Sequence, residues 1–180
     1  MGYWNRARLA RCRAALAALA VAGCLLPHRA AAQTTTLTLS GSTLTAATPA
    51  VADYTNGYVC LGTITATATT SGAAKAQRDT LFIRLTTALG FPASDGGTAK
   101  AASDFVWNTN AAGCAATSGW AAVPISTAVP ARVIASTAQN GFTTIIYFRL
   151  ALSWTLDRGG ITYTLPGVKF YVNRSTTNPP

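Results

Sequence analysis

The stretch that decides the fold covers residues 141–173 and reads GFTTIIYFRLALSWTLDRGGITYTLPGVKFYVN. Within residues 146–157 every even position is apolar, whereas the odd positions are mostly polar or small. This period of two predicts one long strand whose apolar face, including Trp154, is buried in the core. Shorter alternating runs follow at residues 161–165 and 168–172, each after a glycine-containing turn. Together the three runs predict a β-meander at the centre of an antiparallel sheet.

The odd positions of the same stretch form the opposite face of the predicted strand. Its members Tyr147, Arg149, Ser153 and Thr155 make a mixed polar surface without a pair of reactive groups. We therefore expect this strand to be a scaffold, with any function located in the loops or at the N-terminal edge.

Several shorter strand patterns precede this stretch, at residues 35–40, 58–69, 80–87, 104–108, 120–125 and 131–137. In the run 80–87 the side chains of Leu81, Ile83 and Leu85 are predicted to face inward. Turn signals such as Asn56-Gly57 separate the runs at fairly even spacing. The pattern predicts an all-β protein with a single antiparallel β-sandwich of the Ig-like type, and a closed β-barrel is the alternative.

Residues 1–32 have the three parts of a secretory signal peptide. Four arginines between positions 6 and 13 precede an apolar run at 14–26, and three alanines at 30–32 provide a small-residue cleavage site. The apolar run is too short to span a bilayer comfortably. We therefore predict a bacterial protein that is secreted, periplasmic or located at the cell surface.

Two cleavage sites compete within this N-terminal region. The sequence from Val21 to Cys24 resembles the lipobox of bacterial lipoproteins, which implies a lipid anchor on Cys24. Because the apolar run continues beyond that cysteine, we favour ordinary cleavage before Gln33 and release of a soluble protein. Cleavage there leaves a predicted β-sandwich domain at 33–173 and a disordered tail at 174–180.

The net charge of +9 arises largely from the signal region. Five of the 14 lysines and arginines precede Gln33, so nine remain against five aspartates, a net charge of +4. The remaining basic residues are scattered and form no run of the kind that marks a nucleic-acid or membrane-surface patch. We therefore expect no nucleic-acid partner.

Cys60 and Cys114 are the two cysteines that follow Gln33. In an exported protein two cysteines most simply form one disulfide. Closing a loop of this length stabilises a fold by about 4 kcal/mol in the chain-entropy model. The alternatives are two free thiols or a metal pair, and the metal pair is disfavoured because no histidine remains after cleavage.

The sequence lacks most of the side chains that carry catalysis. It contains no glutamate, and its one histidine, His28, lies in the signal region. This excludes catalysis by Ser-His-Asp or Cys-His arrangements, histidine-based metal sites and glutamate-based acid–base pairs. An aspartate pair, a lysine nucleophile or a serine–lysine arrangement are the remaining alternatives. The five aspartates lie mostly at strand ends or turns, where they usually cap the backbone. We predict a protein that is not an enzyme and that has no cofactor or metal.

Two tryptophans flank the second cysteine near predicted loops. Trp107 and Trp120, with Asn108 and Asn110 nearby, are candidates for a platform on which sugars stack. Burial beside the disulfide in a sandwich core is the alternative interpretation of these aromatic side chains.

The N-terminal strand pattern has a possible functional meaning. Leu37 and Leu39 alternate with threonines on one face and are followed by Gly41. With the threonine-rich strands and the predicted export, this segment resembles the donor strand of bacterial β-sandwich domains of the pilin and surface-adhesin kind. The resemblance implies assembly by β-strand addition, in which backbone hydrogen bonds provide affinity and side-chain pockets provide specificity.

We therefore expect an exported, non-catalytic structural or adhesive cell-surface protein whose partners are its own copies or other surface proteins. The alternative is a secreted module that binds a carbohydrate or another surface polymer through Trp107 and Trp120. Contact with a membrane is expected only if Cys24 is lipidated.

Overall fold

A computed structural model describes residues 34–44, 46–71, 78–88, 90–97, 99–135, 141–155, 157 and 160–175. All of them belong to one compact unit, Gln33–Pro180. The predicted signal peptide, both candidate cleavage sites and residues 176–180 lie outside the described residues.

The described chain is built mainly from β-strands, as the sequence predicted. The strands are β1 Thr34–Gly41, β2 Ala46–Ala47, β3 Tyr58–Ser71, β4 Arg78–Leu85, β5 Phe105–Asn108, β6 Ala121–Ala122, β7 Ala131–Ala135, β8 Gly141–Ala151, β9 Tyr163–Thr164 and β10 Val168–Ser175. One short helix, α1 Val51–Asn56, and two 3-10 turns at Ala102–Asp104 and Gly113–Ala115 complete the elements. The strand β10 includes Arg174 and Ser175, which were predicted to belong to the disordered tail at 174–180.

The strands form three antiparallel sheets. The largest has the order β1-β3-β8-β5-β6, the second has the order β10-β4-β7, and β2 pairs with β9. In the part of the chain that the structure describes, each sheet is open and none closes into a barrel. The all-β prediction is therefore confirmed, and the barrel alternative is wrong.

One hydrophobic core receives side chains from the two larger sheets. Ile146, Phe148 and Leu150 of β8 are completely buried, and so are Leu81, Ile83 and Leu85 of β4. Both sets of residues had been predicted to face inward from their alternation. Phe105 lies at the centre of an aromatic group, with its ring 5.5 Å from Phe148 and 5.7 Å from Phe91.

The predicted β-meander is wrong, although β8 does lie at the centre of its sheet. β8 pairs with β3 and β5, while β9 pairs with β2 and β10 pairs with β4. The three consecutive runs therefore belong to three different sheets. Alternation reports which face of a strand is buried but not which strand lies beside it, so the sequence pattern identified the strands without their partners.

The long strand ends at Ala151, six residues before the alternating pattern ends at 157. Its partner β3 begins at Tyr58, opposite Ala151, so the ladder stops there. The Asp157 carboxylate then accepts a hydrogen bond from the Ser153 amide at 2.6 Å and closes a turn. Trp154 lies in this turn and is 63% exposed, which overturns its predicted burial. Its ring rests against that of Tyr54, with the centroids 5.1 Å apart.

These positions give opposite expectations for two aromatic truncations. Phe148→Ala removes a completely buried ring and should lower the free energy of unfolding by about 3–5 kcal/mol. Trp154→Ala removes a largely exposed ring and should cost about 1 kcal/mol or less. Urea unfolding followed by circular dichroism measures both changes, and a loss of several kcal/mol for Trp154→Ala would contradict the exposed placement.

Candidate functional site

The outer edge of β1 is the candidate site. β1 pairs with β3 along its full length, from Thr34 opposite Ser71 to Gly41 opposite Ile64. No described strand pairs with its other edge, because β1 stands at the end of the sheet order. The predicted donor segment therefore forms an edge strand of its own sheet. β10 of the second sheet lies close to β1 without pairing with it.

The side chains of β1 divide between the two faces of the sheet. Leu37 and Leu39 lie opposite Ala68 and Ala66, both buried, so the two leucines are on the face that covers the core. Leu39 is nevertheless 45% exposed. The core face is therefore incompletely covered beside this edge.

A shallow pocket of about 150 Å³ occupies this uncovered position. It is lined by Leu39, Ser40, Gly41, Ser42 and Ile64. The lining includes two aliphatic residues and two serines, and the volume suits one side chain rather than a small-molecule ligand.

A backbone corner fixes the end of β1 beside the pocket. Gly41 has a φ of +125°, and a Cβ at this position would collide with the Thr63 carbonyl oxygen. The Ser42 amide donates to the same carbonyl at 2.7 Å, and the Thr63 amide donates to the Ser42 hydroxyl at 3.1 Å. Glycine is needed here because other residues rarely adopt this φ and because the strand approaches so closely.

The edge strands of the two larger sheets differ in charge. β1 contains no charged residue and consists of threonine, leucine, serine and glycine. In contrast, β7 has the exposed Arg132, β10 has the exposed Lys169, and β6 is only two residues long. Proteins commonly protect edge strands against pairing by shortening them or by adding charges, and β1 has neither protection.

The disulfide between Cys60 and Cys114 is formed, as predicted, with the two Cα atoms 6.0 Å apart. Cys60 lies in β3 beside an irregularity in its register with β8. Cys114 belongs to the loop at residues 109–120, which the disulfide holds against the outer face of the five-stranded sheet. In the same loop a Cβ on Gly113 would touch the Tyr147 ring, so the loop lies close to the sheet.

Arg149 is buried beneath this loop, which corrects the prediction of a polar outer face. It is only 7% exposed, and its guanidinium lies 3.4 Å from the Tyr58 ring centroid and 4.0 Å from that of Trp120. It also donates a hydrogen bond to the Cys114 carbonyl oxygen. Burial lowers the pKa of Arg149, while Tyr58 acts in the opposite direction. The cation thus joins the sheet to the loop through two rings and one carbonyl.

The two tryptophans proposed as a sugar platform do not share a surface. Trp107 lies opposite Phe148 in the β5–β8 pairing and packs against the hydrophobic core. Trp120 lies on the opposite face, where it stacks on Arg149 and donates from its indole nitrogen to the Ala116 carbonyl at 2.9 Å.

The asparagines near these tryptophans hold the loop. The Asn108 side chain donates to the Ser118 carbonyl at 2.9 Å and accepts from the Asn110 amide at 2.7 Å. The Asn110 side chain accepts from the Ala112 amide at 2.9 Å. Their polar groups therefore have structural partners within the chain.

A buried ion pair was not predicted from the sequence. The Lys100 ammonium lies 2.8 Å from Asp157 and 3.2 Å from Asp104, and the side chains of Lys100 and Asp157 are 7% and 4% exposed. The second oxygen of Asp157 accepts a hydrogen bond from the Tyr163 hydroxyl at 3.2 Å. Burial raises the pKa of Tyr54, and the charge of Asp157 raises it further. Asp157 thus connects the turn after β8 to β9 and to the 90–100 segment.

Other aspartates act as the sequence predicted, by binding nearby backbone groups. Asp53 accepts from the Ala50 amide at 2.8 Å, and Asp95 accepts from the Gly97 amide at 2.8 Å. Among the described residues no group of three or more histidine, cysteine or acidic side chains is arranged to hold a metal ion. The same residues include no helix long and apolar enough to cross a membrane.

Comparisons of the chain with protein families, with curated proteins and with solved structures found no match. The interpretation of the site therefore depends on its geometry.

The buried ion pair gives a test of how the turn after β8 is held. Lys100→Met leaves Asp157 buried without its cation and should lower the free energy of unfolding by about 3–5 kcal/mol. Adding Asp157→Asn removes the uncompensated charge, so the double variant should lose less than the sum of the two single losses. Urea unfolding of the three variants measures this coupling. Strictly additive losses would show that the two groups do not interact.

Proposed function

We propose that this protein is an exported, non-catalytic structural or adhesive protein of the bacterial cell surface, and that it assembles by β-strand addition at the edge of β1. The observation that carries the proposal is the outer edge of β1, which is eight residues long, uncharged and largely exposed. An unprotected edge of this kind is a template for pairing with another strand.

The pocket beside Leu39 favours strand addition, because it can receive a side chain of the added strand. In strand addition the backbone provides affinity, and pockets for alternate side chains provide specificity. A strand placed along β1 presents every second side chain to the core face, where Leu39 and Ile64 leave space for one of them.

Export is supported by the signal-peptide pattern of residues 1–32 and by the Cys60–Cys114 disulfide, because disulfides persist mainly in oxidising compartments. We further propose that the two larger sheets pack face to face as one Ig-like β-sandwich. The shared core of β4 and β8 side chains supports this arrangement.

A non-catalytic role agrees with how the charged groups are used. Lys100 and Asp157 are buried in a pair that connects three segments, and Arg149 is held between two rings. These groups are occupied by structural contacts, and the proposed function requires no reactive group.

The edge hypothesis is tested by placing charges on β1. In cells that produce the full precursor, Thr36→Lys with Ser40→Lys should abolish the assemblies larger than one chain that chemical cross-linking captures at the cell surface. The pair puts two ammonium groups where an added strand must lie. Thr65→Lys with Thr69→Lys, which lie opposite Ser40 and Thr36 in β3 at the same spacing, is the matched control and should leave the assemblies intact. Assemblies unaffected by the β1 charges would contradict the proposed function.

Binding of a surface polymer is the second candidate function, and the exposed Trp154 favours it. Its ring lies against the buried Tyr54, and the nearby Val51 is also exposed. An exposed indole supported from behind presents a flat apolar surface to a sugar ring.

The polymer hypothesis has its own test. The exported protein should cosediment with an insoluble polysaccharide such as chitin or cellulose, and Trp154→Ala should reduce the bound fraction at least tenfold. Trp120→Phe serves as a control because this ring packs against Arg149. Equal binding by Trp154→Ala and the unaltered protein would exclude Trp154 as the contact.

A further inference from the structure

We infer that the strand added to β1 is β1 of a second copy of this chain, paired antiparallel about a two-fold axis at Thr38. The two five-stranded sheets then become one continuous sheet of ten strands. This inference rests on the proposed function and names the partner that the edge accepts.

Symmetry selects β1 among the edges of the two larger sheets. In a two-fold interface the same surface of both copies meets, so any charge at the centre of the edge lies close to the same charge of the partner. Like charges directly opposite each other destabilise a strand pair. Arg132 lies next to the centre of β7 and imposes this repulsion, and Lys169 adds a cation near one end of β10, whereas β1 contains no charged residue.

The alternation of β1 determines the register. An axis at Thr38 places Leu37 of each copy opposite Leu39 of the other, and both leucines lie on the core face. The same register places Thr36 opposite Ser40 on the outer face. Shifting the axis to Leu37 places Leu37 opposite itself and Leu39 opposite Thr35, so one leucine pair forms instead of two.

The register also fills the uncovered position on the core face. Leu37 of the second copy lies beside Leu39, at the rim of the pocket that Leu39 and Ile64 line. Burying the exposed part of Leu39, now 45% of its surface, contributes apolar stabilisation that the isolated edge lacks.

On the outer face the pairing extends an existing ladder of hydroxyl groups. Thr38 lies opposite Thr67, which in turn lies opposite Thr143, and the hydroxyls of Thr67 and Thr143 are 3.2 Å apart. Thr38 of the second copy adds one more member to this row. Cross-strand threonine pairs of this kind each contribute a few tenths of a kcal/mol or more to a sheet.

The area available to a single strand pair limits its affinity. Interfaces that bury less than about 1,200 Å² are typically weak and transient. We therefore expect reversible dimers that accumulate at high local concentration, such as that of an exported protein held at a surface.

A single cysteine at the axis tests the register directly. In the exported protein Thr38→Cys brings two thiols opposite each other, so mild oxidation should yield a covalent dimer at least ten times faster than for Thr143→Cys. Thr143 is also an exposed threonine of the same face but lies in the central strand β8. The comparison is made by non-reducing electrophoresis and intact mass with the Cys60–Cys114 disulfide retained. Equal rates for the two variants would overturn the inference.

Sedimentation velocity tests the same contact without a cross-link. The unaltered protein should show a concentration-dependent dimer, Thr38→Lys should be monomeric, and Thr143→Lys should dimerise as the unaltered protein does. Circular dichroism confirms that each variant is folded. A protein that stays monomeric at millimolar concentration overturns the inference. If β1-dependent assemblies on cells nevertheless persist, the proposed function survives with a different protein as the added strand.

Discussion

The pairing of β8 with β3 on one side and β5 on the other is the constraint on which the rest of the structure depends. It directs Phe148 and Leu150 into the core and necessarily directs Arg149 to the opposite face. An arginine there is desolvated only because the loop at residues 109–120 covers it with Trp120 and a carbonyl oxygen. The disulfide holds that loop in place, so the covalent link and the buried Arg149 both join the loop to the five-stranded sheet. Burial of a charge is tolerated when partners of this kind replace water.

Local periodicity in the sequence was sufficient to identify strands and their buried faces. Ile83 in β4 and Phe148 in β8 face inward as their alternation predicts, and the two cysteines after Gln33 form the expected pair. The edge position of β1 also agrees with its pattern. Buried strand faces depend on residues that are near each other in sequence, and the disulfide had only those two cysteines to choose from. A single sequence therefore contains the information for them.

Other features depend on contacts between residues that are far apart in sequence. The exposed position of Trp154 follows from where β3 begins, opposite Ala151, and from the Asp157 turn, neither of which the alternation at 146–157 encodes. The Lys100–Asp157 pair joins residues 57 positions apart. The shallow pocket beside Leu39 likewise combines residues of β1 with Ile64 of β3. Lys100 is one of few cations in a chain poor in charge, which favours an ion pair for it. The sequence does not indicate which aspartate is its partner.

Among the described edge strands of the two larger sheets, β1 is the one that is both long and uncharged. Assembly through this strand is tested most directly by amide hydrogen exchange of the exported protein at increasing concentration. If copies of the protein pair through β1, its amides become more protected as concentration rises, while amides of β7 and β10 exchange at constant rates. Exchange in β1 that is independent of concentration, or protection that appears at β7 or β10 instead, would contradict this pairing.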